Sequence, residues 1–334
     1  MLRLRKPYLV FLGDVAQRSD AKTGFGLRDW CRDDVIGECA LPAAQVSMGL
    51  RKMKPAEAAA AGAGSVVIGV APAGGQLPPA WIPTLVASLE AGLDVVSGLH
   101  TRLELHQELV QAARTTGAQL VNVRHSDIDW AVGTGIRRPG RRLLTVGMDC
   151  ALGKKYTALA IARDLTSRSV RATFRATGQT GILIAGHGVA IDAVVSDFVA
   201  GAAEALTPPN DADHWDVIEG QGALFHPAYA GVTLGLLHGS QPDAIVLCHD
   251  PSRETIEDHP HIRLPPLHEA IQRYVEAGRL TNPDIRCVGV AINSSTLSDT
   301  EWALFRERTR TELRLPVCDP MRGGVGPIVE MLMA

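Results

Sequence analysis

Several features that mark common protein classes are rare or missing in this sequence of 334 residues. Aromatic residues make up 4% of the chain, too few for the stacking platforms that bind single-stranded nucleic acid. No uninterrupted apolar run reaches the roughly 18 residues that a membrane span needs. The six cysteines lie far apart without a C-x-x-C pair, which argues against a zinc knuckle or a disulfide framework. These absences predict a cytoplasmic protein that binds neither nucleic acid nor membrane.

The charge balance favours the same conclusion. The chain has 33 basic and 36 acidic residues and a formal net charge of −3, so no overall positive field attracts polyanions. Hydrophobic residues make up 46% and charged residues 21%, which is typical of a soluble globular protein. At roughly 150 residues per domain, the length predicts about two domains. The early apolar run at 8–12 is too short for a signal-peptide core and predicts a first buried strand.

Short β-branched runs alternate with helical patterns, which is typical of βα units that build parallel sheets. The predicted strands are 8–12, 65–70, 94–96, 119–123, 143–146, 170–176, 217–218, 244–248 and 287–292. The predicted helices are 56–64, 103–116, 155–166, 190–206, 267–278 and 299–313. A basic stretch containing proline, residues 137–142, interrupts the pattern and predicts a solvated linker. We therefore predict two domains, residues 1–136 and 137–334.

The strongest motif is the segment 147–157, which joins a predicted strand to a predicted helix. Backbone N–H groups and the helix N-terminus in such a segment cradle phosphates, and Lys154 neutralises them. Five residues separate Gly147 from Gly153, one more than in the common P-loop, and Lys155 replaces the hydroxyl residue that normally binds Mg²⁺. The segment therefore predicts a doubly cationic phosphate site. Its predicted cofactor-binding residues are Gly147, Asp149, Cys150, Gly153, Lys154, Lys155 and Thr157.

Cys150 lies inside this turn, close to a helix N-terminus and a lysine pair. Such surroundings lower the pKa of a thiol, so we expect a lowered pKa for Cys150. A nucleophilic role is one interpretation of that position, although we favour a role in the loop itself. Thr157 is a late substitute for the missing hydroxyl residue, but its position on the helix faces elsewhere.

Polar residues also follow the strand predicted at 170–176. Gln179 and Thr180 offer amide and hydroxyl groups there, and ligands bind at the carboxyl ends of strands in open α/β sheets. Arg175 lies at the end of the same strand. A simple glycine-rich turn is the alternative interpretation of this segment.

Glu219 follows the strand predicted at 217–218, where P-loop proteins place a second acidic residue. We predict that Glu219 orients a metal-bound water or acts as a general base, with Gln221 beside it. His226 is a candidate proton acceptor near neutral pH, and a structural histidine that makes hydrogen bonds is an equally good interpretation.

The first domain contains fewer candidate binding residues than the second. No G-x-G-x-x-G fingerprint follows its first strand, so we predict no NAD site. Lys22 and Arg28, with Thr23 between them, are predicted to hold an acidic substrate. His259 and His261 have no third ligand at a matching spacing, so we predict a surface loop there and no metal site.

Three motifs and the dipeptide Asp319-Pro320 together resemble one family, the DgcN-type D-glutamate N-acetyltransferases. The motifs are Gly147-x-Asp149-Cys150-x-x-Gly153-Lys154-Lys155-x-Thr157, Ala176-Thr177-Gly178-Gln179-Thr180-Gly181, and Glu219-Gly220-Gln221-Gly222-Ala223-Leu224 with His226-Pro227. The resemblance spans nearly the whole chain. It implies an α/β protein with an N-terminal Rossmann-like parallel sheet and a C-terminal parallel sheet like that of P-loop NTPases. It also implies acetyl transfer from acetyl-CoA to the α-amine of D-glutamate, in D-amino-acid catabolism.

Such a transfer needs a base for the amine proton and donors for the thioester oxyanion. We assign catalytic roles to Glu219 or His226, as the base, and to Lys154, which binds CoA phosphates together with Lys155. Direct transfer is preferred over an acyl-enzyme at Cys150. The oxyanion donors are predicted near Gln179, Thr180 and the backbone of 220–222, with Gln221 among them. The predicted partners of the substrate carboxylates are Arg175 and either Arg28 or Lys22.

Other reaction classes stay open from the sequence alone. An ATP-dependent ligase or kinase of the dethiobiotin-synthetase type is supported by Asp149 and the loop spacing. A nucleotide- or CoA-binding module without catalysis is the third interpretation, and an NAD-dependent oxidoreductase has the least support. We expect a homo-oligomer, with a dimer as the commonest form.

Overall fold

The structure, a computed structural model, describes residues 4–70, 75–125 and 128–334. The chain divides into two compact units, residues 1–128 with 179–190, and residues 129–178 with 191–334. Segment 179–190 thus groups with the first unit although its flanks belong to the second. The predicted domain boundary after residue 136 stays a prediction. In the part of the chain that is described, no helix is long and apolar enough to cross a membrane.

Strands and helices alternate along both units. The strands are β1 Tyr8–Phe11, β2 Val35–Cys39, β3 Ser65–Ile68, β4 Asp94–Ser97, β5 Leu120–Asn122, β6 Arg141–Gly147, β7 Ala172–Arg175, β8 Trp215–Ile218, β9 Ala244–His249, β10 Thr255–Ile256, β11 His259–Arg263, β12 Arg286–Ile292 and β13 Val317–Cys318. The helices are α1 Lys22–Trp30, α2 Pro55–Ala60, α3 Ile82–Glu90, α4 Gln107–Thr116, α5 Lys154–Ser167, α6 Gln179–Ala185, α7 Val199–Leu206, α8 Ala230–Ser240, α9 Leu267–Arg279, α10 Asp299–Leu313 and α11 Gly326–Met333. The helix predicted at 190–206 is wrong for its first half, because only α7 is α-helical there.

The first unit contains a parallel sheet of five strands in the order β2-β1-β3-β4-β5. All four residues of β1, β3 and β4 are buried, as expected for strands of a parallel sheet that is covered on both faces. β1 and β3 pair in register from Tyr8 with Ser65 to Phe11 with Ile68. This is the predicted N-terminal sheet.

The second unit contains a parallel sheet of six strands in the order β13-β12-β9-β6-β8-β7. β6 is central, and Leu143 pairs with Ala244 of β9 on one side and with Val217 of β8 on the other. After β6 the chain first builds one side of the sheet and then crosses to the other. Such a reversal opens a crevice at the carboxyl end of the central strands. The predicted class, α/β with two parallel sheets, is confirmed.

The prediction of a solvated linker at 137–142 is wrong for two of its arginines. Arg142 is fully buried within β6, and its guanidinium donates to the carbonyl oxygens of Arg138 and Pro139. Arg138 donates in turn to the carbonyl oxygen of Thr207 at 2.9 Å. A guanidinium group carries five N–H donors, and backbone carbonyls pair with the terminal nitrogens of Arg142, while its buried Nε has no hydrogen-bond partner in the described part of the chain.

Candidate phosphate-binding and acyl-transfer site

The predicted P-loop segment connects the end of β6 to the start of α5. Gly147 is the last residue of β6, and Lys154 opens α5. Gly153, just before the helix, has a φ of 101°, a left-handed conformation that glycine adopts without strain. Lys154 is 7% exposed, and its Nζ donates to the carbonyl oxygen of Asp149 at 2.7 Å. The buried ammonium group of Lys154 is therefore bonded to a carbonyl oxygen of its own loop. An anion bound at the loop is a stronger partner for it than this neutral oxygen.

Burial lowers the pKa of Lys154, because desolvation disfavours the charged form. A phosphate at the loop opposes this effect, since an opposite charge favours the ammonium form. The arrangement thus gives Lys154 a direct electrostatic gain when an anion binds. Lys155 follows on the same helix, with its Nζ 5.0 Å from the ring centroid of Tyr156.

Two glycines make room around the Lys154 side chain, one in the loop and one in the segment after β8. A Cβ atom on Gly147 would lie 2.9 Å from Nζ of Lys154. A Cβ atom on Gly220 would lie 1.7 Å from the carbonyl oxygen of Thr145 and 3.1 Å from Cδ of Lys154. The N–H of Gly220 donates to the hydroxyl oxygen of Thr145 at 3.0 Å. A larger residue at Gly220 would push its segment away from β6 and Lys154, and a larger residue at Gly147 would displace the Lys154 side chain within the loop.

Tyr274, on α9, makes hydrogen bonds to both the loop and the segment after β8. Its hydroxyl donates to the carbonyl oxygen of Gly147 and accepts the N–H of Leu224, each at 2.8 Å. The side chain is fully buried. Sequence reasoning missed Tyr274, because a tyrosine in an amphipathic helix carries no motif that distinguishes it from an ordinary core residue.

Asp149 anchors the other side of the loop. Its Oδ1 accepts the N–H of Cys150 at 2.6 Å, and its Oδ2 accepts both Nη1 of Arg253 and the N–H of Glu257 at 2.8 Å. Burial alone would raise the pKa of Asp149, but these hydrogen bonds together lower it. Asp149 thus holds the loop to the segment after β9. Arg253 is its partner in that segment, and sequence reasoning missed this contact as well.

Within the described part of the chain, one group of three side chains has the composition of a metal site. Potential ligand atoms of Asp149, Cys150 and His226 lie within 4.8 Å of one another. However, both carboxylate oxygens of Asp149 already accept hydrogen bonds, and the guanidinium of Arg253 is 2.8 Å from one of them. A cation here would meet that positive charge, so the group suits positioning of the loop better than metal binding.

The expected lowering of the Cys150 pKa is wrong. Burial raises the pKa of this thiol, and the effect exceeds the opposing one of Lys154. The sequence shows the neighbouring lysines but not the desolvation of the sulfur. Cys150 is therefore a poorly activated nucleophile.

Glu219 is 3% exposed at the end of β8. Its Oε2 accepts the N–H groups of Thr177 and Gly178 at 2.9 and 3.0 Å. Burial raises the pKa of Glu219, and this effect exceeds the lowering by Lys155 and by the two N–H groups. Gln221 packs against the same turn, since a Cβ atom on Gly178 would lie 2.3 Å from its Nε2. The carboxylate is thus held through one oxygen and has the raised pKa of a proton acceptor.

His226 lies beside the loop and is 5% exposed. Its Nδ1 accepts the N–H of Ala228 at 3.1 Å, so the neutral ring carries its proton on Nε2. The ring centroid lies 4.4 Å from that of Tyr229 and 5.1 Å from that of His259. In this tautomer Nε2–H of His226 is a hydrogen-bond donor, which suits contact with an oxyanion better than acceptance of a proton from an ammonium group.

Two other predicted residues of this unit are engaged within it. The hydroxyl of Thr157 donates to the carbonyl oxygen of Gly153 at 3.1 Å, one turn back along α5. Nε of Arg175 donates to the buried carboxylate of Asp216 at 2.8 Å. Their predicted roles toward cofactor and substrate stay predictions.

The remaining predicted residues belong to the first unit. Lys22 is exposed at the start of α1, and Gln179 opens α6. The hydroxyls of Thr180 and Thr23 share a 2.9 Å hydrogen bond. Arg28 donates to the carboxylate of its neighbour in sequence at 2.8 Å and to the carbonyl of a second residue. Substrate binding by these residues also stays a prediction.

A cavity of about 520 Å³ lies next to the loop in the second unit. Loop residues and the first turns of α5 form one wall, and the segments after β12 and β13 form the other. Its polar lining includes Asn293, Ser294, Asp319 and Arg322. The volume falls in the usual range for small-molecule pockets, roughly 300 to 1,000 Å³.

Fold and site together define a two-domain α/β protein with a P-loop-type segment between β6 and α5, in which Lys155 stands where the usual hydroxyl residue follows the lysine. Comparison with known proteins agrees with this class. Family models described as the DUF1611_N Rossmann-like domain and the DUF1611_C P-loop domain, both of unknown function, match residues 37–126 and 131–329. The chain belongs to the DUF1611 family, and the family membership inferred from its motifs is confirmed.

Two relatives and one solved structure align with nearly the whole chain. The chain is 44% identical to a D-glutamate N-acetyltransferase of Tritonibacter scottomollicae, with 99% of each chain covered. It is 43% identical to a D-glutamate N-acetyltransferase of a Pseudoalteromonas species, with 99% of this chain and 100% of the relative covered. A crystal structure of a DUF1611 family protein from Anabaena variabilis is 31% identical and superimposes with a TM-score of 0.87 over 98% of this chain and 99% of that one.

Proposed function

We propose that this protein transfers the acetyl group of acetyl-CoA to the α-amine of D-glutamate. Two relatives that align over 99% of the chain carry the name of this activity. The observation that carries the choice of donor is the loop, where Lys154 is followed by Lys155 instead of a serine or threonine. A phosphate site without the Mg²⁺-binding hydroxyl suits holding the phosphates of CoA better than cleaving ATP.

The donor is proposed to bind with its pyrophosphate on the segment 147–155. Lys154 then exchanges the carbonyl oxygen of Asp149 for a phosphate oxygen, and the N-terminus of α5 points the N–H groups of its first turn at the same anion. The neighbouring cavity of about 520 Å³ accepts the nucleoside part of the donor.

The base is proposed to be Glu219, since its raised pKa and its one oxygen held by two N–H groups suit a proton acceptor. The amine nitrogen of the acceptor attacks the thioester carbon, and its proton passes to Oε1 of Glu219. The carbon–sulfur bond then breaks, and the CoA thiolate leaves and takes up the proton that Glu219 accepted, which regenerates the base.

His226 is proposed to stabilise the oxyanion that forms during this attack. Its Nδ1 is occupied by the N–H of Ala228, which leaves Nε2–H as a donor. This divides the two roles that the sequence left open between Glu219 and His226. Direct transfer is preferred over an acyl-enzyme, because burial raises the pKa of Cys150.

The experiment measures release of free CoA from acetyl-CoA with D- and L-glutamate and D- and L-aspartate, without added metal or NAD. CoA release with D-glutamate is expected. Formation of ADP from Mg-ATP and an acidic amino acid, without any need for CoA, would instead identify a ligase or kinase. Binding of CoA or nucleotide without turnover of any substrate would identify a binding module. Light scattering tests the accompanying proposal of a homo-oligomer.

A further inference from the structure

The cavity beside the loop contains an arginine that the proposed mechanism does not use. Among the described residues that line it, the charged ones are Asp319 and Arg322. Asp319 is 6% exposed, and both of its oxygens accept hydrogen bonds, Oδ2 from Ser294 and Oδ1 from the N–H of Met321. These hydrogen bonds hold Asp319 in the wall of the cavity, and Arg322 is the cationic side chain of the lining that an anionic ligand can meet.

Arg322 is held in place through one of its two terminal nitrogens. Nη1 donates to the hydroxyl oxygen of Ser294 at 3.2 Å and to the carbonyl oxygen of Leu297 at 3.0 Å. Nη2 pairs with Asp299, whose side chain is 95% exposed. An ion pair with so exposed a carboxylate contributes little to stability, so a ligand anion replaces it at small cost.

The chemistry of the donor supplies such an anion. CoA differs from ATP and ADP in the phosphate on the 3′-hydroxyl of its ribose, and the planar fork of an arginine matches a phosphate group. We propose that Arg322 binds the 3′-phosphate of CoA in this cavity while the segment 147–155 holds the pyrophosphate. The inference rests on the proposed function and deepens it. Arg322 then selects CoA over nucleotides that lack this phosphate.

The test compares acetyl-CoA with acetyl-3′-dephospho-CoA as donors for the wild type and Arg322→Met. In the wild type, loss of the 3′-phosphate is expected to raise KM about tenfold, typical of one charge-assisted contact. Arg322→Met is expected to raise KM for acetyl-CoA by the same factor, with KM for the dephospho donor and both kcat values unchanged. Arg310→Met is the matched control, since Arg310 pairs with Glu307 on the exposed face of α10.

A second variant tests the same contact from its other side. Asp299→Asn leaves the bonds of Nη1 intact and removes the carboxylate charge that competes for Nη2, so it is expected to lower KM for acetyl-CoA by at most about fivefold, and not for the dephospho donor. The proposal is overturned if Arg322→Met raises KM equally for both donors or leaves KM for acetyl-CoA unchanged, or if Asp299→Asn weakens the preference for acetyl-CoA. Absence of CoA release from either donor would contradict the proposed function instead. Calorimetric binding of CoA and 3′-dephospho-CoA would then test Arg322 by itself.

Discussion

The hydroxyl of Tyr274 donates a 2.8 Å hydrogen bond to the carbonyl oxygen of Gly147, the first residue of the proposed phosphate loop. The same hydroxyl accepts the N–H of Leu224, which follows Glu219 by five residues. One buried side chain therefore connects the loop proposed to hold the donor with the segment that carries the proposed base. Burial raises the pKa of Tyr274 far above its usual range, so the hydroxyl keeps its proton at every pH relevant to activity.

Tyr274→Phe is expected to lower the free energy of unfolding by about 1 to 3 kcal/mol, because it leaves the buried carbonyl of Gly147 and the half-buried N–H of Leu224 without their partner. We also expect a higher KM for acetyl-CoA, since Gly147 loses its anchor. Chemical denaturation and steady-state kinetics measure the two effects. Tyr229→Phe, at a half-exposed tyrosine, is the control. Equal stability of the two variants would show that the buried bonds contribute nothing.

Glu219→Gln is expected to lower kcat by roughly 10²- to 10⁴-fold, the usual contribution of a general base. In the wild type, kcat is expected to fall as the pH drops, with an apparent pKa above the ordinary value of 4.5. The variant is expected to lose this acid limb. Glu276→Gln, an exposed residue of α9, is the control. A variant with wild-type kcat and an unchanged pH profile would exclude Glu219 as the base.

The same substitution has a predicted effect on stability. Because the pKa of Glu219 is raised in the folded protein, the folded state holds this proton more tightly than the unfolded chain does. The stability that Glu219 contributes is fully present below the pKa of the unfolded state, about 4.5. It is lost as the pH rises through the pKa of the folded state. Glu219→Gln is thus expected to raise the melting temperature at pH 8 relative to the wild type, with a smaller difference at pH 5. A difference that shrinks with rising pH would contradict the raised pKa.

Cys150→Ala is expected to keep most of the activity, because burial raises the pKa of the thiol and direct transfer does not require it. Mass spectrometry of acid-quenched wild-type enzyme, mixed with acetyl-CoA alone, is expected to detect no acetyl group on Cys150. A stable acetyl-Cys150 species that D-glutamate then discharges would replace direct transfer by an acyl-enzyme route.

The loop and both sheets could be predicted because their signals are local. The strand, glycine turn and helix of 141–167 depend on residues that follow one another, and the β-branched runs that form β6, β9 and β12 are continuous in the sequence. Elements without such a signal were missed. α8 is apolar nearly all round and shows no helical period, and α1 contains two glycines.

The contacts that shape the site could not be predicted because they connect distant parts of the chain. Tyr274 is 127 residues from Gly147, and Arg253 is 104 residues from Asp149. Packing of the folded chain decides such pairs, and no spacing rule in one sequence encodes them. The same holds for Cys150, where the sequence shows the neighbouring charges and only the fold shows the burial that outweighs them.

The most direct test of the account is the affinity of Lys154→Ala for acetyl-CoA, measured by titration calorimetry. Arg163→Ala, which removes an exposed cation from the same helix, is the matched control. We predict that Lys154→Ala binds acetyl-CoA at least about tenfold more weakly than the wild type, because a buried charge-assisted contact is lost, and that the control binds as the wild type does. Unchanged affinity of Lys154→Ala for acetyl-CoA and for nucleotides would contradict the assignment of 147–157 as the phosphate site.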